Sequence, residues 1–100
     1  MLDLVYAASY KTEKGLLVAC CDEDCMGRVF REGRLKLAPE ARFYGSAVMK
    51  LSEALIMMNG ADILNLVGRR IVDAAIANGL VHPDAVIRIA GVPHVQVMKL

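Results

Sequence analysis

The sequence predicts a single α+β domain with a mostly antiparallel sheet, two or three helices being inserted between N-terminal and C-terminal strands. Three observations carry this. Apolar runs of strand length stand near both ends of the chain, at residues 2–7 and 16–20 and again at 86–90 and 95–98. Patterns with helical stop signals lie between them, ending at Gly60 and Gly79. The 100 residues carry no linker, internal repeat or low-complexity tract, so one domain spans 1–100. Strands, then helices, then strands suit a segregated α+β arrangement better than an alternating βα series.

The elements follow in order. Leu2, Leu4 and Tyr6 alternate with Asp3 and Val5 well enough for a first strand. Residues 10–15 are polar and read as a hairpin turn, and the near-continuous apolar run at 16–20 reads as a central strand. Asp22 as N-cap and Gly27 as stop bound a single helical turn. Residues 28–37 form a hairpin with Glu32-Gly33 as its two-residue turn, which sets Arg31 directly across from Arg34, and Pro39 ends it. Residues 47–51 fit a short strand or the first turn of a helix. Ser52 caps a helix that stops at Gly60. The longest helix is predicted over 65–78, with Leu66, Val67, Ile71, Ala74, Ala75 and Ile76 near a 3.6 period and Gly79-Leu80 as a Schellman-type end. Gly68 inside it costs about 1 kcal/mol relative to Ala, which points to a close approach by a backbone or ligand. His82-Pro83-Asp84 is a turn, and Gly91-Val92-Pro93-His94 bends the chain between the last two strands.

Composition narrows the function classes. The hydrophobic fraction is 56% and aromatics are few, so the core is aliphatic, with apolar surface left for a homo-oligomer. Net charge is +1, so no global field draws the chain to nucleic acid or membrane. Apolar runs are cut by Glu53, Asn59-Gly60 and Asp62 before reaching membrane-spanning length. Asp3 and the lack of a cationic start argue against a signal peptide. Three cysteines, two of them adjacent, suit a reducing cytoplasm rather than a disulfide framework.

Two residue sets carry candidate chemistry. Arg28, Arg31, Arg34, Lys36 and Arg42 form the one local basic cluster, with Phe30, Phe43 and Tyr44 interleaved. Arginines beside aromatics suit RNA phosphates and bases, and like charges facing across a hairpin are either well solvated or await an anion. Arg69 and Arg70 extend the patch from a helix start. The second set is His94 as general base, Asp22 as its orienting partner and Cys21 as nucleophile. Gly27, Gly33, Gly45, Gly68, Gly91 and Pro93 shape the turns around both. Cys20, Cys21 and Cys25 lack a fourth ligand for zinc, and adjacent strand residues face opposite ways, so no metal or other cofactor is expected. Asp22, Glu23 and Asp24 read as the acidic first turn of a helix rather than a cation site. No triad, phosphate loop, dinucleotide fingerprint or zinc-hydrolase helix is present.

Cys21-Asp22, Gly27, Phe30, Glu32-Gly33, Phe43-Tyr44-Gly45, Asn65-Leu66-Val67-Gly68, Gly79-Leu80 and Gly91-Val92-Pro93-His94 with Gln96 follow in an order that resembles the archaeal domain of unknown function 424 family. The match runs from about residue 16 to the end. It departs at Ser46, where the family often has a second glycine, and at Arg69, where it often has an acidic residue. Its usual single cysteine matches Cys21. The resemblance implies a small stand-alone archaeal cytoplasmic protein; a loose association with translation genes suits it, and the resemblance does not imply an activity.

Three readings follow. The first is a non-enzymatic module binding RNA or a ribonucleoprotein through the basic hairpin. The second is a small-molecule enzyme or ligand-binding protein using His94, Asp22 and Cys21. The third is a homo-oligomeric structural protein. The first ranks ahead because the charged and aromatic residues cluster better than the catalytic types do.

Overall fold

A computed structural model of the chain describes residues 3–99. Leu2, at the head of the first predicted strand, lies outside them, as do Met1 and Leu100 of the predicted 1–100 domain. The elements run β1 (Leu4–Thr12), β2 (Gly15–Asp22), a 3-10 turn (Glu23–Cys25), β3 (Phe30–Glu32), β4 (Leu35–Leu37), α1 (Ala41–Tyr44), β5 (Val48–Lys50), α2 (Leu51–Asn59), β6 (Ile63–Val67), α3 (Arg69–Ala77), a second 3-10 turn (Pro83–Ala85), β7 (Ile87–Ile89) and β8 (Val92–Met98). The main sheet has the order β5-β1-β2-β6-β8-β7, and β3-β4 form a separate ribbon. Every neighbouring pair is antiparallel except β2 and β6. This is the predicted α+β class, with one parallel pair at the centre of the sheet.

β2 is central, as its apolar run implies, and it buries both faces. Val18 and Cys20 join Leu64, Leu66 and Val95 under α2 and α3, whose Met58, Ile71, Val72 and Ala75 complete that core. Ala19 and Cys21 point the other way, where Phe30 and Leu37 of the ribbon and Tyr44 of α1 cover them with Val67 and Ile89. The adjacent thiols therefore serve opposite cores, as period-two alternation requires. Each fully buried aliphatic side chain contributes roughly 1.5–3 kcal/mol of transfer free energy.

The helix predicted over 65–78 is two elements. Ile63–Val67 is strand β6, and only Arg69–Ala77 is helical. β6 lies between β2 and β8 and is covered on both faces, so its apolar run has no period to separate strand from helix. Gly68 marks the junction, with φ +114 and ψ 151, a conformation open essentially to glycine alone. The far end follows the prediction. Leu80 N–H donates to Ala75 C=O at 2.9 Å and Gly79 N–H to Ile76 C=O at 3.0 Å, the two bonds of a Schellman end.

Other boundaries shift for local reasons. β1 runs on to Thr12, through part of the predicted turn, because exposed polar residues there still pair with β2. In the ribbon the turn is Gly33-Arg34, since Phe30, Arg31 and Glu32 pair with Leu37, Lys36 and Leu35. Arg31 thus faces Lys36, not Arg34; Gly33 at φ +59 leads the turn and Arg34 does not share its positive φ, the glycine-first pattern of a type II′ hairpin. Residues 47–51 hold both readings in succession, β5 and then α2. The N-cap of α2 is Lys50 rather than Ser52, and its backbone N–H donates to Glu53 Oε1 at 3.2 Å. The last hairpin turns at Ala90-Gly91, both with positive φ, so Val92, Pro93 and His94 are strand rather than bend. Pro93 falls one residue before the β6–β8 ladder begins at His94, where its missing N–H removes no rung.

Candidate functional site

The ribbon and α1 stand over one face of the sheet and leave a cleft of about 490 Å³ between them and β6-β8. Three strand residues form its floor. Asn65 pairs with Gln96 and Val67 with His94, so Asn65, Gln96 and His94 point to the same face as near neighbours. The opposite wall comes from Leu37 at the end of β4 and from Glu40, Arg42, Phe43 and Tyr44 around α1.

Two hydrogen bonds set the polarity of this floor. The Tyr44 hydroxyl donates to Asn65 Oδ1 at 2.6 Å, and burial pushes the Tyr44 phenol far above the usual tyrosine range, so it stays a donor. Asn65 Oδ1 is thereby occupied and its Nδ2 is left as the donor toward the cleft. His94 Nδ1 lies 2.9 Å from the Leu66 carbonyl oxygen. A carbonyl only accepts, so Nδ1 carries the proton and Nε2 is the free acceptor in the neutral ring. Neither Asn65 Nδ2 nor His94 Nε2 has a hydrogen-bond partner among the described residues.

The aromatic wall is braced from β1. Tyr10 stacks on Phe43 with centroids 5.8 Å apart and planes 9° apart, and its hydroxyl donates to the Phe43 carbonyl at 2.6 Å. Phe43 meets Tyr44 edge-on at 4.9 Å. Gly45, at φ +89, lets the chain leave α1 against the Ala7 carbonyl of β1.

The predicted basic set divides. Arg42, Phe43 and Tyr44 line the cleft, though Tyr44 is buried and contributes through its hydroxyl. Arg31, Arg34 and Lys36 are exposed on the ribbon and form no ion pair among the described residues. Glu32 Oε1 accepts from Ala90 N–H at 2.8 Å and pins the ribbon to the last hairpin. Arg28 lies away from them, its guanidinium 5.0 Å over the buried Phe30 ring. It lines a second hollow of about 180 Å³ with Asp22, Arg69, Arg70 and Pro93. Gly27, Gly33, Gly45, Gly68 and Gly91 all have positive φ.

The predicted catalytic set is not brought together. Cys21, Val67 and His94 share one row across β2, β6 and β8, which leaves His94 two strands from Cys21, roughly 10 Å. Asp22 is the next residue along and faces the helices instead. Its carboxylate does not cap the 3-10 turn after it; it accepts from Arg70 N–H at 2.8 Å and Ile71 N–H at 3.0 Å, capping α3. Burial raises the Asp22 carboxyl, against those two donors. Burial also raises all three thiols, Cys20 to about 12, Cys25 to about 11 and Cys21 higher still, so none is primed as a nucleophile. Among the described residues no group of three or more His, Cys, Asp or Glu is placed to hold a metal ion. No helix there is long and apolar enough to cross a membrane.

Sequence reasoning missed Asn65, Gln96 and Tyr10 as site residues. Asn65 had a signal of its own, a lone amide inside the apolar strand Ile63–Val67, since a buried polar group needs a partner.

Comparison with solved structures finds a crystal structure of an uncharacterized conserved protein from Methanopyrus kandleri. It is 22% identical, with a TM-score of 0.78 over 97% of this chain and 94% of that one, so the fold is shared. No curated protein matches. The family model described as "Protein of unknown function (DUF424)" matches residues 10–100, a span that holds the whole cleft from Tyr10 to Gln96, and the chain belongs to that family.

Proposed function

We propose that this protein is a non-enzymatic module that binds single-stranded RNA, alone or within a ribonucleoprotein. The supporting observation is the ribbon rung Arg31–Lys36, two cations facing each other with no acidic partner among the described residues. Such a rung costs stability unless an anion bridges it. A phosphodiester supplies that anion. The cleft begins at Leu37, one residue beyond Lys36, and offers Phe43, Arg42 and three polar side chains to whatever the backbone carries. The free thiols accord with a cytoplasmic location in an archaeal cell, with a loose link to translation.

Fluorescence anisotropy with a labelled single-stranded RNA tests this. Binding that weakens steeply with salt, and weakens further in the double variant Arg31→Ala, Arg34→Ala while the fold holds, supports the reading. Salt-independent binding, or binding untouched by the double variant, removes it.

A further inference from the structure

We infer that the cleft reads the Watson–Crick edge of an unpaired RNA base, with Asn65 Nδ2 as fixed donor and His94 Nε2 as fixed acceptor. The inference rests on the RNA reading above and adds what the cleft recognises.

The argument is one of polarity. An asparagine amide free to flip presents either atom, and a neutral histidine presents either tautomer. Here both choices are removed. Tyr44 holds Asn65 Oδ1 at 2.6 Å and the Leu66 carbonyl holds His94 Nδ1 at 2.9 Å. What remains is a donor beside an acceptor on one face of the sheet, at diagonal positions on β6 and β8, roughly 7–8 Å apart and somewhat closer at Cβ. A planar heterocycle bridges that gap if its edge carries an acceptor next to a donor. Every RNA base has such an edge: uracil with N3–H beside O4, cytosine with N3 beside its amino group, and the purines likewise. In a duplex the edge is consumed by pairing, so the cleft admits a splayed-out base. Gln96, the direct neighbour of Asn65, keeps a rotatable amide and adds a contact of either sense. Arg42 and Glu40 stand on the wall beside these groups, and Phe43, held by Tyr10, gives that wall an aromatic element.

The test uses a short oligouridylate and the same strand built from 3-methyluridine, which replaces the N3–H donor with a methyl group and keeps the charge. On the unmodified protein the methylated strand binds about tenfold more weakly. His94→Leu loses a similar factor toward the ordinary strand and little more toward the methylated one, because the contact is already gone. Asn65→Asp keeps an oxygen for Tyr44 but turns the cleft-facing donor into an acceptor, and it also weakens the ordinary strand. His94→Leu leaves the Tyr44–Asn65 hydrogen bond in place and remains the readout if Asn65→Asp unfolds. Equal binding of the two strands by the unmodified protein overturns the base reading and leaves the RNA reading standing. No binding of either strand at low salt overturns both.

Discussion

The Asp22 carboxylate occupies the space that any side chain at Gly68 would need. A Cβ built on Gly68 falls well inside contact distance of the Asp22 side chain, and that side chain is what caps α3. Gly68 brings the helix start close, and Asp22 supplies from β2 the oxygen that a glycine N-cap lacks. The Gly68 N–H in turn donates to the Pro93 carbonyl at 2.9 Å, tying β8 to the same junction. The other end of the sheet repeats the device: Asp62 fills the space beside Gly15 and accepts from Leu16 N–H at 2.8 Å.

Gly68→Ala is therefore expected to destabilise the protein by roughly 3 kcal/mol or more. Backbone strain contributes about 1–3 kcal/mol, and displacing Asp22 from two buried N–H groups adds a comparable amount. Urea unfolding measures it. A loss below about 1 kcal/mol, the ordinary scale of a point substitution, counts against the account.

Asp22 also predicts a pH dependence. Its folded carboxyl is raised above the unfolded value by burial, so the native state holds the proton more tightly than the unfolded chain does. Its contribution to stability is fully present below the ordinary aspartate range and is lost as pH rises through the raised value. Unfolding free energy measured across mildly acidic pH, for the protein and for Asp22→Asn, isolates the effect. The difference, parent minus variant, falls with rising pH. A difference that rises instead reverses the sign assigned to burial.

How much of this was legible in the sequence depends on the range of each interaction. The Gly79-Leu80 helix end, the His82-Pro83 turn and the central place of β2 rest on neighbouring residues and were readable. The β6–α3 border was not, because Ile63–Val67 is buried on both faces and has no strand period. The role of Asp22 was hidden for another reason: its partner Arg70 lies 48 residues away, and a cap delivered from another strand leaves no local spacing to read. The ribbon slipped by one residue because Glu32-Gly33 and Gly33-Arg34 are both plausible turns on local chemistry. Cross-strand packing of Phe30 against Leu37 decides between them. His94 was singled out for its bend, yet its chemistry comes from the Leu66 carbonyl across the ladder.

Tyr44→Phe tests the floor of the cleft. It removes one hydroxyl and leaves Asn65 Oδ1 without its donor in a nearly buried place, which costs about 1–3 kcal/mol. It also frees the Asn65 amide to flip, so preference for oligouridylate over its 3-methyl form narrows even where the folded fraction is unchanged. Unfolding and anisotropy on the same variant read the two effects separately. Full retention of both stability and preference would remove the claim that Tyr44 orients Asn65.

Lys36→Glu separates electrostatic cost from function, because stability and binding are expected to move in opposite directions. The ribbon rung changes from two cations to an opposite-charge pair with Arg31, worth roughly 0.2–1 kcal/mol in favour of the fold. The same change removes one phosphate contact, so RNA binding weakens and the slope of log affinity against log salt shrinks by about 1. Lys36→Gln gives the intermediate case, relieving the repulsion without adding attraction. A like-charged rung retained for an anion predicts this crossing of signs. If both quantities fall together, Lys36 is holding the ribbon by packing its stem and the rung says nothing about RNA.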